Sequence, residues 1–539
     1  MIKDWHVKID GRDMDELEIV DALLESRGIK DIKHFLNPSE NDMIPFEELE
    51  NIDIAARIVM NTLENNERFI IHFDVDTDGT SSGAIMYRYL MNFTSNIDSM
   101  TNTGKEHGVQ GFPLYCLNDQ TTLIVVDSLN NDTNVYRNIL STGAKLIVLD
   151  HHLVEEELKE FCNNNTGDKF CLVSSAVNYA NPALSGAGVV FKFCKYLDEL
   201  NWTDYADEYW DLAATGIIAD MSDLSETSLE NRYICHMGIN NQKNTAISKI
   251  NGSFGFDSKA VSFGIAPLVN AACRTNENEK AVELFLSDDS KRINELIKDL
   301  KKCKERQNDA IADKMDDLIA QGDAQLSQKC MYFFIDADGE VAGLIGNKLL
   351  EKYQRPLFVL RTSGDTYAGS MRAVGVENFL QIVNDTGIGQ CMGHELAAGA
   401  FIPINKFEEF KNKIEDVLKD VEFKQTIDVD IQLDAEQITD TLIRTIKDIN
   451  KISGSGFSPI TVMIGEVSDY KIGNMSKGKH LKITTPDVIF IKWNFNGWDD
   501  LWDVEDKEFY GVGQLDSGFF GRDYYRQLIL SDFKFEDIW

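Results

Sequence analysis

The sequence predicts an α/β protein: a parallel-sheet domain joined by long helices to a second α/β domain, followed by a small C-terminal β-barrel. Three patterns support this fold class. Short apolar runs alternate with helical patterns from residue 68 to about 235, a charged amphipathic stretch without glycine or proline spans 278–321, and the chain becomes β-rich from about 426. A length of 539 residues allows roughly three or four domains.

The first two segments of the chain lead into the parallel sheet. Residues 1–66 are expected to be helical or extended and to pack on the core, with a break at Asn37-Pro38-Ser39. Residues 67–277 form the sheet domain. Its strands should be near-continuous apolar runs, because both faces of such a sheet are buried. The predicted strands are Phe69–Phe73, Leu123–Val126, Lys145–Leu149 and Cys171–Val173.

Three further segments complete the predicted organisation. Residues 278–325 form connecting long helices, 326–425 the second α/β domain and 426–539 the barrel. In the second α/β domain we expect strands at Cys330–Ile335, Leu357–Leu360 and Tyr367–Ser370, and helices at Leu344–Tyr353 and Ile404–Val421. In the barrel we expect strands at Thr461–Val467, His480–Thr484, Val488–Trp493 and Tyr525–Ser531.

Composition excludes several classes of protein. No stretch approaches the ~18 consecutive apolar residues of a membrane span, and the N-terminus lacks the features of a signal peptide. Nine cysteines without CxxC pairs indicate reduced thiols in a cytoplasmic protein, not a disulfide framework or zinc site. A net charge of −36 argues against nonspecific nucleic-acid binding by the whole surface. A nucleic-acid enzyme needs only a local cationic path, so charge leaves that class open.

An imidazole and three carboxylates lie within the eight residues His72-Phe-Asp-Val-Asp-Thr-Asp-Gly79. Since alternate side chains of a strand share a face, His72, Asp74, Asp76 and Asp78 start from the same side. Clustered carboxylates repel one another at neutral pH unless a cation lies among them, and a hard divalent metal ion is the natural candidate. Taken alone, the cluster indicates an Asp-rich surface turn more strongly than a metal site, and the rest of the chain reverses that preference.

Three more polar clusters follow apolar runs. They are Asp127 after Leu123–Val126, Asp150-His151-His152 after Leu146–Leu149, and Asp220 after 213–219. One acidic residue after a strand is usually a helix cap or turn residue. Four such clusters at the carboxyl ends of elements in one sheet instead predict a ligand site, since ligands of open parallel sheets bind there. Mixed imidazole and carboxylate ligands favour Mn²⁺ over Mg²⁺.

The second α/β domain carries possible substrate contacts. Ser370 and Arg372 place a hydroxyl and a guanidinium on one side of an extended backbone, a pair suited to a terminal phosphate. Met392-Gly393-His394 combines a close-approach glycine with a histidine, and Arg274 follows Asn270-Ala271-Ala272-Cys273. The alternatives are an exposed edge-strand arginine, a structural histidine and a structural salt bridge.

The tail combines lysines with aromatic residues. Four lysines fall within 471–482, including Lys479 and Lys482, and the aromatics Phe490, Trp493, Phe495, Trp498 and Trp502 follow. A cationic groove with aromatic platforms is how barrel domains bind single-stranded nucleic acid. A solvated basic loop over an aromatic core remains an equal alternative.

Taken together, His72-x3-Asp76-x-Asp78, Asp127, Asp150-His151-His152 and Asp220 resemble the four motifs of the DHH phosphoesterase family. That resemblance implies hydrolysis of phosphoric esters or anhydrides with two metal ions, usually Mn²⁺, with Mg²⁺ as an alternative. It also implies roles by position. His72 and Asp76 would hold the first metal, Asp78, His151 and Asp220 the second, and Asp127 would bridge them. Asp150 would orient a histidine, His152 would face the substrate phosphate, and Asp74 would ligate, or hydrogen-bond a ligand or the attacking water.

The segment with Ser370, Arg372, His394 and Gly399 resembles the DHHA1 domain of nucleic-acid phosphoesterases, although Met392 replaces a usual glycine. The tail resembles the OB-fold domain of RecJ-type exonucleases, through 478–482 and 524–533. Three further segments are similar to that subfamily: residues 24–29 with 35–38, the Asn-Ala-x-x-Arg element from Asn270 to Arg274, and residues 305–307. The chain departs from the pattern at Ala373 and in the loop around 104–118, which contains fewer arginines than the resemblance leads us to expect.

This resemblance implies a single-strand-specific 5′→3′ exodeoxyribonuclease of recombination and repair. Its Ser370, Arg372 and His394 would bind the terminal phosphate, with Arg274 on backbone phosphate and Lys479 and Lys482 on the strand. Expected partners are single-stranded DNA, a helicase and a single-strand-binding protein, with no membrane, for a monomer. One alternative is a phosphodiesterase of short oligoribonucleotides or cyclic dinucleotides. The other is a non-catalytic scaffold, which would be expected to have lost metal ligands.

Overall fold

Two units make up the fold in the computed structural model, which describes residues 4–336, 341–423, 426–501, 504, 506–520 and 523–537. The larger unit comprises His6–Cys273, Glu277–Lys298 and Asp428–Trp539. The smaller unit comprises Met1–Trp5, Arg274–Asn276 and Asp299–Ile427. Trp502 of the predicted aromatic set lies outside the described residues. Among the helices of the described ranges, none is both long and apolar enough to cross a bilayer.

The first part of the chain builds a parallel sheet with helices on it. The elements in chain order are β1 (Asp4–Asp10), α1 (Glu16–Ser26), α2 (Ile32–Leu36), α3 (Ile52–Glu64), β2 (Arg68–Phe73), α4 (Thr77–Leu90), β3 (Ile97–Thr101), β4 (Thr121–Val126), α5 (Thr133–Ser141), β5 (Lys145–Asp150), α6 (Glu156–Asn165), β6 (Phe170–Ser174), α7 (Gly186–Asn201), α8 (Trp210–Ala219), α9 (Leu229–Asn240), α10 (Thr245–Asn251), α11 (Ser258–Ala260), α12 (Ala266–Cys273) and α13 (Asn278–Leu286). A π-helical turn, Val261–Ile265, joins α11 to α12.

The five strands of this sheet run in the order β3-β2-β4-β5-β6, and every pair is parallel. The four predicted strands are confirmed as β2, β4, β5 and β6. Sequence analysis missed β3, Ile97-Asp-Ser-Met-Thr101, because only Ile97 of this edge strand is buried and its apolar signal is correspondingly weak. After β2 the chain goes to one neighbour, β3, and then returns to the other, β4, so the strand order reverses between β2 and β4. Ligands of open α/β sheets bind at such a point.

The rest of the chain contains the second α/β region and the tail. Its elements are α14 (Ser290–Asp323), β7 (Met331–Phe334), α15 (Ala342–Tyr353), β8 (Leu357–Ser363), β9 (Thr366–Arg372), α16 (Phe379–Asp385), β10 (Gln390–His394), β11 (Ala397–Pro403), α17 (Phe407–Leu418), β12 (Thr426–Leu433), α18 (Asp440–Asn450), β13 (Val462–Val467), β14 (Lys471–Met475), β15 (His480–Thr484), β16 (Ile489–Lys492), β17 (Lys507–Phe520) and β18 (Asp523–Asp537). Helices α13 and α14 confirm the predicted helical stretch over 278–321.

In the smaller unit, a sheet of order β10-β11-β9-β8-β7 packs against α15 on one side and α16 and α17 on the other. The three predicted strands and both predicted helices of this region are confirmed. The hairpin β10–β11 was missed, because Ala397-Ala398-Gly399-Ala400 consists of residues with low β-propensity. Its register is set by pairing with β9, where Ala398 lies opposite the buried Met371.

The tail forms an eight-stranded mixed sheet of order β1-β12-β13-β17-β18-β16-β15-β14, consistent with the OB-like region that the sequence predicts. The N-terminal strand β1 is its edge strand. Leu23 and Leu24 of α1 are fully buried in the same core as Leu442 of α18 and Phe490 of β16. The first helices therefore pack on the tail, whereas α3 packs on β6 and α7. Sequence analysis missed β12, β14 and β17.

A buried ion pair lies inside the larger unit. Lys192 of α7 and Glu230 of α9 are 0% and 2% exposed, and Lys192 Nζ lies 2.5 Å from Glu230 Oε1. Burial lowers the pKa of Lys192, while the Glu230 carboxylate opposes this shift. The hydroxyl of Tyr179 and the amide of Asn181 also donate to Glu230. Lys192 also donates to the Ile44 carbonyl, but removing the charge of Glu230 would leave the buried ammonium without a counter-charge.

We therefore expect Glu230→Gln to lower the free energy of unfolding by about 3–5 kcal/mol. The measurement is urea denaturation followed by circular dichroism. Asp53→Asn, which breaks the exposed Asp53–Arg57 pair of α3, is the matched control and should cost less than about 1 kcal/mol. Equal losses in the two variants would contradict the assigned role of the buried pair.

Candidate metal centre

Polar residues gather where β2, β4 and β5 end. Asp74 follows β2, Asp127 follows β4, and Asp150 is the last residue of β5. These strands are adjacent and parallel, so their carboxyl ends meet at one edge of the sheet, at the reversal of strand order between β2 and β4. All three carboxylates are buried, with exposures of 4%, 2% and 0%.

Helix α4 begins at this edge and contributes two further carboxylates. Asp76 is its N-cap and accepts a 2.9 Å hydrogen bond from the Gly79 amide. Asp78, in the first turn, is 2% exposed and is held by the N-terminus of α7. It accepts from the Ser185 hydroxyl at 3.0 Å and from the amides of Gly186 and Ala187 at 2.8 and 3.0 Å. The partial positive charge of a helix N-terminus stabilises a carboxylate in this position.

Glycines permit the close approach of these elements. A Cβ atom at Gly186 would lie 2.6 Å from Asp127 Oδ1, and one at Gly216 of α8 would lie 2.2 Å from Asp78 Oδ1. Asp127 itself has a φ of +54°, an uncommon conformation for a residue with a side chain. Such strained backbone clusters at functional sites.

The carboxylates and histidines form three groups whose potential ligand atoms lie within 4.8 Å of one another. Asp127 and His151 each belong to two groups, so they connect the set. His151 Nε2 lies 3.1 Å from Asp127 Oδ1 and 3.8 Å from Asp78 Oδ2, and its Nδ1 lies 3.8 Å from Asp220 Oδ2. The groups are Asp74-Asp76-Asp127, Asp78-His151-Asp220 and Asp127-His151-His152.

Two observations show that this donor set fits divalent metal ions. First, Asp127 Oδ1 and His72 Nδ1 are buried and have no hydrogen-bond partner among the described residues. Buried polar atoms normally have a hydrogen-bond partner, and a coordinated metal ion would take the place of that partner here. Second, the pKa values of three carboxyl groups are raised. Burial and Asp220 raise that of Asp78 to about 7, and burial raises that of Asp127. Asp76 is an exposed residue, but desolvation of its carboxyl group and the charge of Asp74 raise its pKa to about 6. A cation among these groups would reverse these shifts.

Asp150 and His152 form a hydrogen-bonded pair beside the three groups. Asp150 Oδ1 accepts from His152 Nδ1 at 2.8 Å and from the amides of His151 and His152, both at 2.7 Å. Its other oxygen accepts from the Leu129 amide at 2.7 Å. Although burial opposes the shift, His152 lowers the pKa of Asp150, and Asp150 raises the pKa of His152 to about 10. The carboxylate thus fixes the orientation of the His152 ring.

His72 and Asp74 lie in different surroundings. His72 Nε2 faces Asn102 Oδ1 at 3.3 Å, and His72 belongs to none of the three groups found among the described residues. Asp74 Oδ1 accepts from the Ser128 hydroxyl at 3.1 Å and lies 2.9 Å from His107 Nδ1. The structure therefore brings Asp74 together with Asp76 and Asp127, and the ligand roles of these residues stay predictions.

Sequence reasoning missed several contributors to the site. His107, Asn102 and Ser128 lie in loops without a recognised motif. Ser185-Gly186-Ala187-Gly188 had a usable signal, since a serine and small residues before a helical pattern mark a helix N-terminus that can hold an anion. Thr77, whose hydroxyl donates to Asn270 Oδ1 at 2.8 Å, connects α4 to α12.

In the smaller unit, three predicted phosphate contacts share one face of the sheet. His394 of β10 lies opposite Ala397 of β11, which lies opposite Arg372 of β9, and Ser370 is two residues before Arg372 on the same side. Arg372 Nε donates to Asn347 Oδ1 at 2.7 Å. Burial and the nearby Arg274 cation lower the pKa of Arg372. Two neighbouring guanidiniums disfavour each other, so an anion would stabilise both.

The tail lysines border an aromatic surface. Lys482 Nζ lies 5.6 Å from the Tyr525 ring centre, and the Lys479 carbonyl accepts from the Phe495 amide at 3.0 Å. The Trp498 indole donates to the Gly478 carbonyl at 2.9 Å, and His480 packs edge-on against Trp493. Trp493 is 48% exposed. Both Lys479 and Lys482 therefore belong to a hairpin region with aromatic neighbours, as base stacking would require.

The raised carboxylate pKa values predict how metal binding depends on pH. Between pH 4 and 7 the metal-free folded protein holds protons on Asp76 and Asp78 that the unfolded chain has lost, so these groups make it less stable as the pH rises. Metal ions compete with these protons. We expect Mn²⁺ to raise the melting temperature strongly at pH 8 and only weakly at pH 5.5, by differential scanning fluorimetry. A shift of equal size at both values would contradict this assignment.

Comparison with known proteins identifies the domains. A model of the DHH family, N-terminal domain, matches residues 68–217, and a model of the DHHA1 domain matches residues 327–420. A putative SPbeta prophage-derived single-strand DNA-specific exonuclease, YorK of Bacillus subtilis, is 27% identical over 462 residues, which cover 77% of each chain. The single-stranded-DNA-specific exonuclease RecJ of Bacillus subtilis is 24% identical over 466 residues, which cover 81% of this chain and 57% of that protein.

A solved structure extends the comparison over nearly the whole chain. RecJ of Thermus thermophilus in complex with Mn²⁺ matches 99% of this chain and 80% of its own, with a TM-score of 0.76 and 22% identity. The same fold is found in the Mg²⁺ complex of that protein, with a TM-score of 0.71 and 21% identity. The chain therefore carries a DHH-family N-terminal domain followed by a DHHA1 domain, on the fold of RecJ.

Proposed function

We propose that this chain is a divalent-metal-dependent exonuclease that hydrolyses single-stranded DNA from its 5′ end, in recombination or repair. The observation that carries the proposal is the set of three carboxylate and imidazole groups that are linked through Asp127 and His151, at the strand ends of a DHH-family domain. The names of the relatives, which are single-strand DNA-specific exonucleases, support the substrate class.

The donor set supports two metal positions. Asp74, Asp76 and Asp127 form one group, and Asp78, His151 and Asp220 form another. Asp127 of the first group lies beside the second, because its Oδ1 is 3.1 Å from His151 Nε2. His72 completes the first position in our proposal, since its buried Nδ1 lacks a partner in the described structure. The imidazoles favour Mn²⁺ over Mg²⁺. When bound, two such ions supply a water of lowered pKa and neutralise charge on the attacking and leaving oxygens.

The protein's own residues orient the reacting groups. The α7 N-terminus fixes Asp78 through three hydrogen bonds, so this carboxylate cannot swing away from the site. Asp150 engages His152 Nδ1 and, against the effect of burial, raises the pKa of the ring to about 10, so both ring nitrogens are protonated at neutral pH and Nε2 can donate to a phosphate oxygen. Asp74 is held by Ser128 and can accept a hydrogen bond from a water or ligand.

The substrate-binding surfaces belong to the other domains in this proposal. Ser370, Arg372 and His394, with Arg274, would bind the 5′-terminal phosphate, because a guanidinium fork matches phosphate oxygens. Lys479 and Lys482 would follow the backbone of the strand while the neighbouring aromatics stack on bases. A helicase and a single-strand-binding protein are proposed partners of a monomeric enzyme. The free state of all nine cysteines agrees with the proposed cytoplasmic location.

We expect Asp127→Asn to lower hydrolysis by at least about 1,000-fold, because a group shared by both metal positions is lost. The measurement is release of labelled nucleotides from single-stranded DNA with Mn²⁺. Asp168→Asn, whose side chain is 91% exposed, is the matched control and should retain full activity. Near-wild-type activity of Asp127→Asn would remove the two-metal assignment. Faster turnover of dinucleotides than of long strands by the wild type would favour the alternative phosphodiesterase.

Arg372→Ala should raise the KM for 5′-phosphorylated strands by about 10- to 100-fold, the loss expected for one charge-assisted phosphate contact. Its kcat should change much less, since the metal centre is intact. The assay compares 5′-labelled and 3′-labelled strands with phosphate or hydroxyl 5′ ends. Arg361→Ala, on the neighbouring strand β8, serves as the control. Degradation that starts from the 3′ end in the wild type would overturn the proposed polarity.

A further inference from the structure

His107 faces the metal centre from the loop between β3 and β4. Its Nδ1 lies 2.9 Å from Asp74 Oδ1, and its ring packs edge-on against His152 with 4.7 Å between ring centres. The side chain is 41% exposed, whereas Asp74 is almost completely buried. His107 thus lies between the buried carboxylates and solvent, on the side from which a substrate must approach.

Hydrogen bonds between side chains and backbone hold the loop that carries this histidine. The side-chain amide of Asn102 donates to the carbonyls of Glu106 and Gly108 at 3.0 and 2.7 Å, and the backbone amide of Gly108 donates to Ser128 Oγ at 3.0 Å. The side-chain amide of Gln110 donates to the His107 carbonyl at 2.8 Å. Gly108 has a φ of +85°, which a residue with a side chain rarely adopts.

None of these loop contacts uses the imidazole. These four hydrogen bonds therefore do not depend on the His107 ring, whose Nδ1 lies against Asp74 and whose Nε2 is left for a ligand. The His107 side chain is 41% exposed and its ring contacts His152. Neither feature is needed in a histidine that only anchors a loop.

His107 and His152 are built alike. Each ring engages a buried carboxylate through Nδ1, at 2.9 Å for Asp74 and 2.8 Å for Asp150, and their side chains are 41% and 42% exposed. A carboxylate only accepts, so Nδ1 of each ring donates to it and Nε2 is left for a ligand. Two neighbouring rings therefore present the same type of nitrogen at the open side of the metal centre.

We propose that His107 is a substrate-contacting residue, which pairs with His152 to bind the non-bridging oxygens of the scissile phosphate through Nε2. This inference rests on the proposed hydrolysis of phosphodiesters at the same site. Carboxylates at the site repel a phosphodiester anion that approaches them, and the chain as a whole has a net charge of −36. An N–H donor on each ring, placed at the open side of the site, offsets that repulsion.

The test compares His107→Leu, which removes both nitrogens, with His107→Gln, which keeps an amide donor. We expect His107→Leu to lower kcat/KM on single-stranded DNA by about 100-fold, as for the loss of one donor to a developing anion. His107→Gln should recover part of that loss. The Mn²⁺-induced rise in melting temperature should equal that of the wild type in both variants, because neither removes a proposed metal ligand.

His34 provides a matched control. Its Nε2 lies 2.8 Å from Asp42, its side chain is also 41% exposed, and it lies outside the metal centre. His34→Leu should leave kcat/KM unchanged. Wild-type activity in His107→Leu would overturn the inference, as would loss of the Mn²⁺ shift in that variant, which would place His107 in the metal site or the fold.

A binding experiment separates this inference from the proposed function. Fluorescence anisotropy with a labelled single-stranded DNA oligonucleotide, in EDTA to prevent turnover, measures the contact without cleavage. If the wild type cleaves no strand, the proposed function fails, whereas weaker binding by His107→Leu than by wild type still supports a phosphate contact. Equal binding by the two proteins overturns the inference whether or not the wild type is active.

Discussion

The burial of negative charge at one edge of the parallel sheet is the constraint on which the rest of the structure depends. Asp74, Asp78, Asp127 and Asp150 are each less than 5% exposed, and bringing carboxylates together away from water is unfavourable. The fold offsets part of this cost with donors from α7, Ser128 and backbone amides. Bound cations would offset the rest of this cost. Metal affinity is therefore a property of the fold that buries the carboxylates and not of single ligands.

Close packing around the carboxylates limits what the site can accept. Gly79, Gly186 and Gly216 each lie where a single added carbon would come within 2.2–2.6 Å of Asp74, Asp127 or Asp78. Helices α4 and α7 therefore approach the strand ends, and α8 approaches α4, more closely than residues with side chains would allow. Because Asp74, Asp78 and Asp127 are almost completely buried in this packing, charge interactions among them are stronger than at the surface.

How far sequence could predict this molecule depends on the range of the interactions. The four buried strands and the meeting of Asp74, Asp127 and Asp150 at their ends were predictable, because apolar runs and the polar residues that end them are local patterns. The hairpin β10–β11 and the edge strand β3 were not, since neighbours in space override weak local propensity there. His107 was missed for a related reason. Its position depends on a loop shaped by Asn102, Ser128 and Gln110, and no spacing along the chain encodes that shape.

Strand β1 lies beside β12 in the tail sheet, although more than 400 residues of sequence separate them, and Arg27 pairs with Asp430 across the same distance in sequence. On the ribosome, the first helices emerge early, with Leu23 and Leu24 exposed until the last quarter of the chain has been made. Contacts between residues so far apart in sequence are slow to form. Until they form, the apolar surface of the first helices is open to aggregation. The first helices can therefore complete their packing only after the last quarter of the chain has been synthesised.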